Sequence, residues 1–206
     1  MKRKWSPFKA LMVGLIGIVF LAGMVGCATT QGAGTASVSK ITPPTIKLVD
    51  VQLAHYWGWW YFSKKVKPTK GKAGNYGAPM DLVFVFEITN PNSFPVQLDG
   101  FKFTVAFEEF DVNTLNAFET MWIPAGKTNQ LAVHGMFDAR TSLLSLLVTG
   151  GFKLKAKHMN VWQQLEKWWT GIATFSFPIT VKEGAATFHA GGKTVVTSFT
   201  GKFPTK

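Results

Sequence analysis

Apolar residues recur at every second position along much of this chain. That is the period of β-strands that bury one face against a core. The plainest stretch is 80–90, where Met80, Leu82, Phe84, Phe86 and Ile88 share one face. Val83 and Val85 make the other face apolar as well, the pattern of a central strand. Residues 45–56 carry the same period, but its phase slips between Leu48 and Val49, which predicts a β-bulge. Phe101, Phe103, Val105 and Phe107 alternate with Lys102, Thr104, Ala106 and Glu108, predicting a half-buried strand that starts at Phe101. A shorter apolar segment covers 118–123, and a turn follows at 124–127. Leu131, Val133 and Phe137 then share a strand face, with His134 opposite. Phe152, Leu154 and Ala156 alternate with Lys153, Lys155 and Lys157, which reads as a strand with one basic, wet face. Phe175, Phe177, Ile179 and Val181 predict another strand. Residues 186–190 and 194–203, joined by Gly191-Gly192, predict a terminal hairpin.

The period lengthens to that of a helix in two places. Asp138 or Thr141 caps a short helix over 142–148, ended by Gly150-Gly151. In 160–170, Trp162, Leu165, Trp168 and Trp169 fall at i, i+3, i+6 and i+7 and share a helix face, with Gly171 ending it. Seven to eight strands, one or two short helices and turns at regular intervals predict an all-β fold, an antiparallel β-sandwich of immunoglobulin or fibronectin type.

The first 44 residues do not join this pattern. Lys2, Arg3, Lys4 and Lys9 precede an uncharged apolar run over 10–25, shorter than the ~20 residues of a spanning helix. This predicts a secretory signal over 1–26. Residues 24–27, Met-Val-Gly-Cys, resemble a bacterial lipobox, which implies cleavage before Cys27 and lipidation of its thiol. The other reading is an uncleaved anchor helix with an incidental cysteine. Cys27 is the single cysteine among 206 residues, so the core holds together by packing without a disulfide. Several acyl chains on Cys27 would anchor the protein stably to a membrane. Ala28, not Asp, follows the cysteine, which favours the periplasmic face of an outer membrane if the source has two membranes. Residues 27–44, rich in Ala, Gly, Thr and Ser, read as a flexible tether, and 45–206 as the folded domain.

Charge changes the picture modestly. The formal +11 falls to +7 once the four basic residues of the signal are removed, leaving 18 Lys/Arg against 11 Asp/Glu. A basic surface near a membrane favours anionic lipid or an acidic polymer as partner; an exported lipoprotein is not expected to meet nucleic acid. Five lysines and no acid lie in the insertion over 55–79. It opens with Tyr56, Trp57, Trp59, Trp60, Tyr61 and Phe62 and continues through Lys64 and Lys65. Indole rings and lysines together suit a membrane interface. Alternatively, half of the aromatics extend the first strand into the core and the lysines form a solvated loop.

Candidate chemistry is sparse. His55, His134, His158 and His189 have no metal-ligand spacing and read as surface or edge residues. Glu108 and Glu109 would face opposite sides of a strand and so cannot act as an acid/base pair. Glu109 and Asp111 share a face and offer at most a weak calcium site, for which a solvated loop is the simpler account. No GxSxG, P-loop or GxGxxG motif occurs. No catalytic residue, metal or cofactor is therefore expected, and no enzyme.

Residues 87–103, EITNPNSFPVQLDGFKF, carry a resemblance. An apolar strand, Asn90-Pro91-Asn92, Pro95, then Leu98-Asp99-Gly100 and an aromatic strand resembles the late embryogenesis abundant family 2, whose module is also called the water-stress and hypersensitive-response (WHy) domain. Residues 123–126 are similar to the family's IPAG turn, and 143–154 continue the likeness. The resemblance implies a β-sandwich, a role in desiccation or stress protection, no catalysis, and, for bacterial members, a lipoprotein form. The insertion at 56–77 and the tryptophan helix depart from the family pattern. The residues themselves make Asn90-Pro91-Asn92 a corner. Pro91 ends the ladder, Asn92 suits a tight turn, Gly100 frees the start of the next strand, and Asn90→Ala is expected to cost about 1–2 kcal/mol. Two readings of function follow. One is a non-catalytic, membrane-tethered protective domain. The other is a lipid- or hydrophobic-ligand-binding lipoprotein, or an envelope assembly subunit, that uses exposed Trp57, Trp59, Trp60, Trp162, Trp168 and Trp169, with Lys64 and Lys65 beside them.

Overall fold

The computed structural model describes residues 40–59, 62 and 77–204. Within them the two-residue period becomes eight strands: β1 Thr45–Tyr56, β2 Pro79–Thr89, β3 Val96–Phe107, β4 Phe110–Ala117, β5 Met121–Ile123, β6 Thr128–Asp138, β7 Ile179–Ala190 and β8 Lys193–Phe203. Three helices lie between β6 and β7: α1 Ala139–Thr149, α2 Gly151–Ala156 and α3 Val161–Gly171. Sheets of order β1-β2-β6 and β4-β3-β7-β8 pack face to face, all described pairs antiparallel, and β5 extends the β4 edge of β3. The protein is an all-β sandwich. β1 and β8 approach along one edge, β4 and β6 along the other.

The core is the set of inward positions that the alternation marks. Met80, Leu82, Phe84, Phe86 and Ile88 of the central β2 are fully buried, facing Phe103, Val105 and Phe107 of β3. Phe86 meets Phe101 and Phe103 edge-on at 4.9 and 5.1 Å between ring centroids, a geometry that adds to plain area burial. The slip in β1 is a bulge: register jumps between Leu48 and Asp50, moving the buried position from Leu48 to Val51. Gly191 and Gly192, at φ 52° and 73°, form a two-residue hairpin loop between Ala190 and Lys193. Both positions lie in the left-handed region that this loop demands.

The structure departs from the sequence pattern at five points. Residues 152–157 are helical, not extended. Lys153 and Lys157 lie one turn apart and both reach the Phe110 ring, while Leu154 alone turns inward and Phe152 is 93% exposed. β4 emerges from a stretch with no clean alternation, because its outer face is Asp, Asn and Thr and its buried positions are Phe110, Val112, Leu115 and Ala117. β3 starts at Val96, so Gly100 lies inside the strand at a register shift against β7 and does not release a turn. Phe175 leaves the strand pattern for a left-handed turn (φ 47°) after α3. Finally, the folded part begins before Thr45, since Ile41 is 5% exposed and Pro44 is buried. Ser39–Lys206 form a compact unit by themselves.

The antiparallel order sorts the loops into two poles. Ile41, Asn90, Ile123 and the 191–192 turn lie at one. The end of β1, the start of β2, the β3–β4 hairpin and the three helices lie at the other.

Candidate functional site at the helical pole

Asn160 starts α3 with a capping box: its side chain accepts from Gln163 N–H at 2.9 Å and Gln163 Oε1 accepts from Asn160 N–H at 3.0 Å. This fixes which face turns inward. Gln164, Leu165, Trp168 and Trp169 are all buried. Trp168 enters an aromatic cleft, with Phe107 at 5.4 Å and Phe110 at 5.7 Å, both near edge-on. Trp169 Nε1 donates to the Ala78 carbonyl at 2.8 Å, and the Tyr56 hydroxyl donates to the Trp169 carbonyl. Burial raises the Tyr56 pKa. Helix α3 therefore plugs the sandwich, joined to β1 and β2 through Trp169 and to the β3–β4 hairpin through Trp168.

Glu108 is the polar centre of that plug. It sits in the two-residue turn between β3 and β4 at φ 55°, a strained setting for a residue with a Cβ. Its carboxylate accepts from Gln164 Nε2 at 2.7 Å and Trp168 Nε1 at 3.1 Å, and it pairs with Lys167. Burial pushes its pKa up, but the hydrogen bonds from Lys167, Trp168 and Gln164, with the lysine charge, outweigh that and hold it below the ordinary glutamate value. Neighbouring Glu109 pairs with Lys157 at 2.7 Å and Asp111 pairs with Lys182. Glu108 and Glu109 belong to a turn, not a strand, and all three acids are engaged by lysines in place of a calcium-type pair.

The structure splits the tryptophans expected at a common surface. Trp168 and Trp169 are fully buried core residues, so they do not form the exposed contact surface expected of them. Of the expected helix stripe, Leu165, Trp168 and Trp169 turn inward together with Gln164, while Trp162 stays at the rim, 42% exposed. There Trp162 stacks on Phe62 at 5.6 Å, and Phe62 meets Trp59 at 5.5 Å, so the start of the insertion does reach α3. Trp57 is 44% exposed beside His55. Cys27, Trp60, Lys64 and Lys65 lie outside the described residues. The histidines sit at the surface: His134 meets Asp81 at 2.8 Å and His189 meets Asp99 at 3.1 Å, both across strands.

The sequence motif lies at the opposite pole and is a structural joint. Asn90 is fully buried. Its Nδ2 donates to the carbonyls of Phe94, Ile123 and Pro124 at 2.8, 3.1 and 3.2 Å. Its Oδ1 accepts from Asn92 N–H and Nδ2 at 2.9 and 2.8 Å. The Asn92 side chain exchanges two hydrogen bonds with the Thr42 main chain, at 2.8 and 2.9 Å. The incoming chain, the corner and the 123–126 turn are thus tied through two side chains. Pro91 and Pro95 are exposed and shape the loop. The long reach of Asn90, from 90 to 124, has no signal in the local pattern.

Two candidates missed by the sequence reading appear as well. A shallow depression at the β7 bulge is lined by Glu183, Gly184, Ala185, Ser198, Phe199 and Thr200. An apolar ridge on α1 and α2 exposes Leu144, Leu147, Val148 and Phe152; 143–148 reads Leu-Leu-Ser-Leu-Leu-Val, apolar all round, and that was its signal.

No family model and no curated protein matches the chain. Solved structures are similar to it at low identity. A protein from Archaeoglobus fulgidus is 13% identical, with 78% of this chain and 98% of that one covered and a TM-score of 0.38. The structural-genomics target SoR45 is 6% identical over 79% and 86%, TM-score 0.43. A protein of Arabidopsis thaliana solved in solution is 13% identical over 80% and 83%, TM-score 0.39.

Proposed function

We propose that this protein is a non-catalytic, exported lipoprotein, held to the cell envelope through lipid on Cys27, whose WHy-type sandwich protects or organises the envelope under water stress. The observation that carries the reading is the joint at Asn90. Asn90-Pro91-Asn92 and the 123–126 turn, two of the pieces that carry the family resemblance, are hydrogen-bonded to each other across more than thirty residues of sequence. Motifs that hold a fold together are what a family signature without a reaction would consist of. The reading assigns no reaction to the helical pole, because Glu108, the carboxylate whose pKa is shifted there, spends its acceptors on Lys167, Trp168 and Gln164.

The test is to express the full chain in a bacterial host, label it with radioactive palmitate and separate it by detergent phase partition. Label on the wild type, absent from Cys27→Ser, together with a shift of that variant to the aqueous phase, is expected. An unlabelled wild type in the aqueous phase overturns the anchor. Survival of a deletion strain through drying, restored by the wild type, tests the protective role; unaltered survival overturns it.

The half-buried Trp59 and Phe62, joined to the exposed Trp162, favour one second reading, a lipid- or hydrophobic-ligand-binding lipoprotein. Its discriminating result is lipid co-purified with the wild type and absent from Trp162→Ala.

A further inference from the structure

We propose that the α1–α2 ridge is a docking surface for an anionic bilayer, a second membrane contact that works independently of Cys27. It rests on the reading of the protein as one that lives at a membrane. Helix α1 packs its inner face on β4 and α3 through Ala139, Ser142 and Leu146. Its outer face, Leu144, Leu147 and Val148 at i, i+3 and i+4, is 60, 54 and 81% exposed. Phe152 follows one turn on. A helix apolar all round is ordinarily covered on all sides, and contiguous exposed apolar side chains mark an interaction site.

Shape and charge choose the occupant. Side chains this exposed project from a convex turn and cannot wrap a small ligand, which needs concave walls. Residues 139–171 carry Lys153, Lys155, Lys157 and Lys167, with Arg140 engaged elsewhere, against a single acid, Glu166. Lys157 and Lys167 are matched by Glu109 and Glu108. Lys153 bonds to the main-chain carbonyl of Glu109 and so keeps its charge unmatched in that contact. Lys155 is exposed beside Phe152. A two-fold contact between copies would place this basic rim against itself. An anionic bilayer instead takes leucine, valine and phenylalanine into its acyl boundary while lysines meet the head groups.

The test uses residues 39–206, the compact unit, which lacks Cys27, so the ridge and the lipid anchor fail or succeed separately. Co-sedimentation is measured with vesicles of phosphatidylglycerol and phosphatidylcholine in equal parts, and with pure phosphatidylcholine. Binding to the anionic vesicles that weakens with salt is expected. Leu147→Ser with Phe152→Ser should weaken it by about tenfold or more per side chain, and Lys155→Gln by about fivefold, with melting curves unchanged because these side chains are exposed. Any of three vesicle results overturns the proposal: no binding to anionic vesicles, equal binding to pure phosphatidylcholine, or binding that survives the double substitution, whether or not Trp162→Ala abolishes it. A dimer in equilibrium sedimentation that the double substitution dissolves, without vesicle binding, also overturns it and assigns the ridge to a second copy.

Discussion

Removing the Asn90 side chain probes the joint that ties the corner pole together. Asn90→Ala deletes a donor group shared among three carbonyls and an acceptor serving the backbone N–H and the side-chain Nδ2 of Asn92. The carbonyls of Phe94 and Pro124 are only partly buried and can recover water. The Asn92 N–H and the Ile123 carbonyl face Asn90 in buried contacts and cannot. A stranded buried group costs about 1–3 kcal/mol, so two of them put the loss at about 3–4 kcal/mol. That is well above the 1–2 kcal/mol expected from the turn alone. For a domain of this size it corresponds to a Tm drop of about 10 °C. Urea unfolding followed by tryptophan fluorescence reads it directly, since Trp168 and Trp169 move from full burial to water. Asn90→Asp at neutral pH keeps the acceptor but aims a carboxylate at three carbonyls, and should be at least as damaging. Asn90→Ala and Asn92→Ala combined should cost less than the sum of the two, with a coupling of about 1 kcal/mol or more, because each strands the other's partner. A loss of ~2 kcal/mol or less for Asn90→Ala, or strict additivity, would refute the argument that the buried network and not the local turn carries the stability.

Glu108 sets an acid limb. Its folded pKa is lowered, so its contribution is present above the ordinary glutamate value and is lost as pH falls through the folded one; urea midpoints followed from neutral to acid pH should decline in wild type and flatten in Glu108→Gln. The two tryptophans of α3 should separate sharply in the same assay. Trp168→Ala costs about 3–5 kcal/mol, while Trp162→Ala, at the rim, stays under ~1 kcal/mol; equal losses would contradict their assigned burial. Gly184 has no room for a Cβ, which would meet the Phe199 ring at 2.5 Å and its carbonyl at 2.6 Å. Gly184→Ala should therefore open the β7–β8 pairing at a cost of about 1–3 kcal/mol, visible as faster hydrogen exchange at residues 196–201.

Alternation along the chain determined a good deal by itself. Where one side of a strand packs and the other is wet, as in β6, identity reports burial directly. The bulge in β1 was legible because a bulge must shift the phase of that alternation. Caps are local too: Asp138 and Thr141 both offered themselves, and the structure uses Asp138, which accepts from Arg140 N–H at 2.9 Å and starts the helix three residues before 142. The corner at Asn90 was legible as a turn, since proline and asparagine restrict their own backbones.

Tertiary structure decided what one-dimensional periodicity cannot encode, namely what covers a face. In residues 152–157 the alternation of apolar residues with lysine fits an edge strand. The helix won because it lets Lys153 and Lys157 reach one phenylalanine and Leu154 one cleft. Trp57, Trp162, Trp168 and Trp169 are four of the six tryptophans that the sequence places in one candidate set. Packing sent Trp168 and Trp169 into the gap between the sheets and left Trp57 and Trp162 at the rim, since only so much space lies over Phe107 and Phe110. Conversely, the outer face of α1 is apolar, yet no described element lies over it. A side chain's own chemistry fixes whether it prefers burial. Whether the fold supplies a neighbour to bury it is settled by residues far away in sequence.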